Sequence, residues 1–208
     1  GLAVHPSASR YTATVTHWLS TIERYSGVKP AHRLDVETSG VLVCTRSPSE
    51  YEIGRLFAER RVTKSYLAVV EGRPERDVWT VDTPLGFDTQ SGIRVKMGRG
   101  DLPAQTRFSV RKRGTHRALV EAQPITGRQH QIRVHLQMSG HPITGDKLYG
   151  GDDALFIASR TRPLTPDEVA RLGHDRQALH AWTLELPLAA GVVQACADLP
   201  EELDSLLK

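Results

Sequence analysis

Asp35 closes the peptide His32-Arg33-Leu34-Asp35, which runs into a polar stretch, Glu37-Thr38-Ser39-Gly40, and then an apolar one from Val41. A carboxylate among basic neighbours is held ionised, because positive charge lowers its pKa, and an ionised carboxylate is a candidate nucleophile. Read alone, the same residue also suits a turn cap or a structural ion pair. A second peptide, Thr126 to Leu136, gathers Arg128, Gln129, His130 and Arg133 near an expected helix start, where backbone amides and arginines suit phosphate. A polar face on a surface helix would have the same composition. A third, Lys64 to Gly72, reads as a strand with Tyr66 at its entrance. Tyrosine there can stack on a base or pack in a core with its hydroxyl satisfied.

The elements that must position these residues are written in periodicity and caps. Val15, Trp18, Leu19, Ile22 and Tyr25 fall at helical spacing and stop at Gly27. Val41-Leu42-Val43-Cys44 has the look of a buried strand. Ser47-Pro48-Ser49-Glu50 then predicts a capped helix with Pro48 in its first turn, burying Ile53, Leu56 and Phe57. Tyr66 to Val70 and Ala118 to Gln123 are strands, and Val78 to Arg113 reads as strands and turns. Thr126-Gly127-Arg128-Gln129 predicts a capping box opening a helix with Ile132, Val134 and Leu136, ended by Gly140. Thr165-Pro166-Asp167-Glu168 repeats the device, with Gly173 as its stop. Strands do not alternate regularly with helices, so the expected class is α+β, with a largely antiparallel mixed sheet flanked by helices.

The chain of 208 residues, 39% hydrophobic and 25% charged, is sized and composed for one catalytic unit over residues 1–208. No apolar run reaches the roughly 18 residues a bilayer requires, and no signal-peptide zones are visible, so the cytoplasm is the expected location. Cys44 and Cys196 lack CxxC partners and read as small core residues. The net charge of +3 is modest, but cations cluster at Arg60, Arg61 and Lys64, at Arg107, Arg111, Lys112 and Arg113, and from Arg128 to His135. Such clusters suit a polyanion, and any one of them also suits an ordinary solvated face. The nine histidines show no HExxH or Cys-His zinc spacing, and neither GxGxxG nor a P-loop occurs, so neither metal nor cofactor is expected.

Taken together, these peptides resemble the RluA-type RNA pseudouridine synthase family over nearly the whole chain. Gly1-Leu2-Ala3-Val4-His5-Pro6 is similar to the end of an early family segment, and His32 to Asp35 to the catalytic motif. Lys64 to Gly72 is similar to the tyrosine motif, Gly127 to Leu136 with Gly140 to Asp146 to the third, and Leu179-His180-Ala181 to a later one. The resemblance implies the pseudouridine synthase catalytic fold, with Asp35 as the essential aspartate and Arg133 as its basic partner. Tyr66 and Ile132 would line the uracil pocket, and Arg33 would fill the space left by an extruded nucleotide. His32, Lys64, Arg128 and His130 are expected contacts to RNA, with ribosomal RNA first and transfer RNA next. A pocket-facing Arg133 is expected to matter little for folding. The family's S4-like domain is not recognisable, and an early strand segment is expected to be missing. A monomer with no membrane partner is expected. The rival readings are a non-catalytic RNA-binding or ribosome-assembly module, and a nucleosidase-like hydrolase, which would need a metal or a second carboxylate.

Overall fold

The computed structural model describes residues 2–6 and 12–208, so Gly1 of the early segment lies outside the described residues. In chain order come α1 (Val15–Thr21), β1 (Lys29–Pro30), β2 (Ser39–Gly40), β3 (Cys44–Thr45), α2 (Glu50–Ala58), β4 (Thr63–Glu71), β5 (Val78–Asp82), β6 (Leu85–Phe87), β7 (Met97–Arg99) and β8 (Gln105–Arg113). These are followed by β9 (Arg117–Pro124), α3 (Gln131–Met138), α4 (Asp153–Thr161), α5 (Pro166–Leu172), β10 (Leu179–Leu188), β11 (Gly191–Cys196) and α6 (Glu201–Asp204). The chain divides into two compact units, one of residues Gly1–Lys64 with Ala181–Asp198, the other of Ser65–His180 with Leu199–Lys208. No helix among the described residues is long and apolar enough to cross a membrane.

In the first unit, β10 and β11 form an antiparallel hairpin from Thr183↔Cys196 to Leu188↔Gly191, β2 pairs with β10, and β1 pairs with β3. Its core joins Ile53, Leu56 and Val62 to Leu184 and Leu186, with Val41 and Val43 packed against them. α1 is capped by Thr14, whose hydroxyl accepts from the His17 N–H. It is shorter than its spacing predicts. Ser20 and Thr21 donate to the carbonyls of His17 and Trp18 and compete with the helix, so Ile22 is extended and only a 3-10 turn, Glu23–Tyr25, leads to Gly27. Residues 46–49 are a turn closed by the Ser49 N–H on Arg46 C=O, so α2 starts at Glu50 and Ser47 does not cap it. The run from Val41 is not a buried strand: the valines face the core, whereas Cys44 faces outward in β3. Both cysteines are exposed, against the expectation of core residues.

The second unit is built on the antiparallel order β4-β9-β8-β5. Ala118 to Ala122 of β9 are buried on both faces, which explains why the strand alternates little in polarity. A bulge lies between Val110 and Lys112 of β8. β6 and β7 form a separate antiparallel ribbon whose Leu85 and Met97 share a core with Ile93, Val134, Leu148 and Tyr149. α5 has the capping box read from Thr165 and Glu168, and ends at Gly173 with φ 78°. α3 begins at Gln131, not at the predicted box. Its N-cap is His130, held at φ 54°. The Thr126 hydroxyl instead donates to Gln131 Oε1 at 2.6 Å, and the Arg128 N–H donates to the same oxygen at 3.0 Å.

Two glycines give opposite predictions. Gly40 has φ 105°, and a Cβ there would sit 2.1 Å from the Ala181 carbonyl oxygen. Gly54, inside α2, has nothing within 4 Å of its would-be Cβ. Gly40→Ala should therefore cost more than about 3 kcal/mol, while Gly54→Ala should stabilise by roughly 0.5–1 kcal/mol. Urea unfolding of the two variants checks both signs.

Candidate active site

Asp35 heads a tight turn whose Thr38 N–H donates to Asp35 C=O at 2.9 Å. The chain leaves that turn through β2, and the Val41 N–H then donates to Ala181 C=O at 2.9 Å. Because Gly40 admits no side chain against Ala181, the backbone between the aspartate and β10 is closely fixed. Asp35 is half-buried and Arg33 exposed.

His32, two residues earlier, does not act as a cation. Its Nε2 accepts from the Val43 N–H at 3.0 Å, and its ring stacks on Phe57 with centroids 5.0 Å apart. Burial, and then the charge of Lys64, push its pKa down to about 4. Lys64 lies over Phe57 with Nζ 5.7 Å from the ring centroid, and burial lowers its pKa also. The expected RNA contact at His32 is thus re-read as a neutral brace for the turn.

In the second unit Tyr66 is half-buried on β4, opposite Ala122 of β9, and Ile132 is buried in the first turn of α3. Arg133 has the most constrained environment of the set. Its Nε donates to Asp146 Oδ2 at 2.6 Å and one Nη to Oδ1 at 2.9 Å. Oδ1 also accepts the N–H groups of Leu148 and Tyr149, at 2.9 and 3.0 Å. Burial alone would raise the pKa of the fully buried Asp146, but the Arg133 charge and these bonds hold it below the usual carboxylate range. Arg133 is only 7% exposed, so the expectation that it matters little for folding is corrected. The Tyr149 ring lies 5.0 Å beneath its guanidinium carbon, and the Tyr149 hydroxyl accepts from the Met97 N–H and lies 2.9 Å from His130 Nδ1. Sequence reasoning gave Asp146 and Tyr149 no role; their only signal was the Gly-Asp-x-x-Tyr spacing after the Gly140 to Gly145 peptide.

Behind Arg133, α3 is seated by a buried network. Gln131 Nε2 donates to Gln105 C=O and to Thr106 Oγ1, both at 2.9 Å. The Thr106 hydroxyl then meets His135 Nδ1 at 2.9 Å, and His135 Nε2 donates to Thr83 C=O at 3.1 Å. His135 is fully enclosed and its pKa is lowered by burial, which makes it a structural residue. The basic cluster on β8 is largely neutralised: Arg111 pairs with the buried Glu121, Lys112 with Asp204 and Arg113 with Asp77. Arg128 is bound through Nε to Pro103 C=O at 3.1 Å. The site residues fall into two sets, His32, Arg33, Asp35 and Lys64 in the first unit, and Tyr66, Arg128, His130, Ile132 and Arg133 in the second.

A family model described as RNA pseudouridylate synthase matches residues 1–138. The chain belongs to that family, in its RluA-type branch. A Nitrosomonas europaea protein named ribosomal large subunit pseudouridine synthase D is 36% identical over 215 residues, which cover 100% of this chain and 60% of the relative. A Pasteurella multocida protein named ribosomal large subunit pseudouridine synthase C is 34% identical over 213 residues, covering 100% of this chain and 62% of the relative. The chain thus spans about three fifths of the length of these relatives. The solved structure of human RNA pseudouridylate synthase domain containing 1 has a TM-score of 0.74 at 27% identity, covering 99% of this chain and 86% of that one.

Arg133→Ala would strand the buried Asp146 charge and should cost about 3–5 kcal/mol in urea unfolding near neutral pH. The folded pKa of Asp146 is lowered, so its contribution is present above the unfolded value of about 3.9 and is lost as pH falls through the folded one. The gap between parent and variant should therefore narrow in acid. His32 acts in a different window. Its unfolded form takes a proton below about pH 6.5, while the folded form resists until about 4, so stability declines as pH is lowered across that interval. His32→Gln should flatten this part of the stability–pH curve relative to the parent; an unchanged slope would mean a solvated ring.

Proposed function

We propose that this chain isomerises uridine to pseudouridine in structured RNA, with Asp35 as the nucleophile. What carries the reading is a half-buried aspartate heading a glycine-fixed turn beside Arg33, in a chain of the RNA pseudouridylate synthase family. The names of the Nitrosomonas and Pasteurella relatives support large-subunit ribosomal RNA as the substrate, with transfer RNA the next candidate.

In this reaction the bond from uracil N1 to ribose C1′ breaks, the detached ring turns, and C5 takes the bond to C1′. C5 gives up its proton and N1 gains one, so mass and oxidation state are unchanged and no cofactor is consumed. The Asp35 carboxylate forms a transient covalent bond to the nucleoside, at the sugar or at the ring, and is released at the end. The target nucleotide must first leave its stack, at a cost of a few kcal/mol. Arg33 then takes the vacated space, and Tyr66 with Ile132 holds the base during its turn. The Arg133 fork is rigid because the Asp146 carboxylate accepts from two of its donors.

The test is incubation with an unmodified large-subunit ribosomal RNA transcript, scoring mass-neutral conversion of uridine. Asp35→Asn should abolish conversion while RNA affinity stays within about tenfold, or about 1.4 kcal/mol. Appreciable turnover by the variant would remove Asp35 from the role, and release of free uracil would indicate a hydrolase.

A further inference from the structure

The segment from Phe87 to Arg99 is anchored at several points within the second unit. Ile93 and Met97 are buried in the core beneath it. Lys96 Nζ reaches Asp153 at 2.6 Å, the Gln129 side chain donates to Val95 C=O at 3.2 Å, and the Met97 N–H donates to the Tyr149 hydroxyl at 2.9 Å. The strap is therefore held against the Arg128 to His130 turn. Between its anchors it leaves Arg94, Arg99 and Phe87 exposed, Phe87 at 65%. Neither arginine has an acid partner among the described residues, in contrast to Arg111, Lys112 and Arg113 on β8. Among the described residues the Arg128 side chain, alongside, is held by one carbonyl, that of Pro103.

Uncompensated guanidinium groups on a rigid ribbon, beside an exposed aromatic ring, fit a ligand carrying both phosphates and flat bases. An acidic peptide would use the cations and leave the ring idle. We propose that the 87–99 strap, with Arg128, is an RNA-docking platform of the second unit, taking single-stranded nucleotides by phosphate contact at Arg94, Arg99 and Arg128 and by stacking on Phe87. The proposal rests on RNA being the substrate, and it extends the expected contact at Arg128 to a strap that the clustering of cations in the sequence does not mark.

Binding of a short labelled oligouridylate, measured against salt, tests it. Removing one cation that touches a phosphate should reduce the slope of log affinity against log salt by about one, so Arg94→Ala with Arg99→Ala should reduce it by about two. Phe87→Ala should weaken binding about tenfold with little change in slope. Lys112→Ala with Arg171→Ala removes the same charge from two acid-paired surface sites and should leave the slope near that of the parent. Thermal unfolding of each variant establishes that the fold is kept. Equal slopes for the two double variants would overturn the platform, whether or not the parent forms pseudouridine. A parent that binds through the strap and converts no uridine in a ribosomal RNA transcript would overturn the isomerase reading and leave the platform standing.

Discussion

The carboxylate of Asp146 is the point on which the geometry of the second unit's candidate site residues depends. It accepts from Arg133 twice and from the Leu148 and Tyr149 amides. That shapes the turn from 146 to 149 and places Tyr149, which in turn receives Met97 and meets His130. One buried anion thus fixes the rotamer of an arginine, the ribbon beside it and the entry to α3. A buried pair of this kind adds little net stability, since desolvation offsets most of its attraction. Its contribution is a single geometry for a long side chain that would otherwise have many.

The first unit reaches the same end through backbone. No side chain is needed between β2 and β10, because a glycine allows two backbones to approach where any Cβ would collide. The neutral His32 ring, resting on Phe57 and receiving the Val43 amide, braces the start of that turn. Protonation of His32 would replace an acceptor with a donor facing a donor. The depressed pKa is thus a property of the scaffold, separate from any proton transfer at Asp35.

Local signals were legible where local bonds decide. The box at Thr165 formed as read, with the Thr165 N–H donating to Glu168 Oε2 and the Glu168 N–H to the Thr165 hydroxyl, while Arg162 pairs with the same carboxylate. The same spacing at Thr126 failed because Gln131, two residues beyond Gln129, takes the Thr126 hydroxyl and the Arg128 amide and moves the helix start to itself. The motif residues themselves could be read off: strand β4 under Tyr66 and the turn at Asp35 are where their peptides suggested. Partners distant in sequence could not. The cations of β8 looked like a polyanion surface until folding brought Asp77, Glu121 and Asp204 to them. Arg133 read as a pocket-facing group of little weight in folding because its counter-ion, Asp146, lies beyond the end of its own helix.

The side-chain amide of Gln131 uses both of its ends fully. Its oxygen accepts from Thr126 and Arg128, and its nitrogen donates to Gln105 and Thr106. Glutamate would set an acceptor against the Gln105 carbonyl, asparagine would fall one methylene short, and an aliphatic replacement would orphan polar groups at both ends. No standard residue offers two acceptor and two donor positions at that reach except the one present. Position 131 therefore has no single replacement that keeps all four of these bonds.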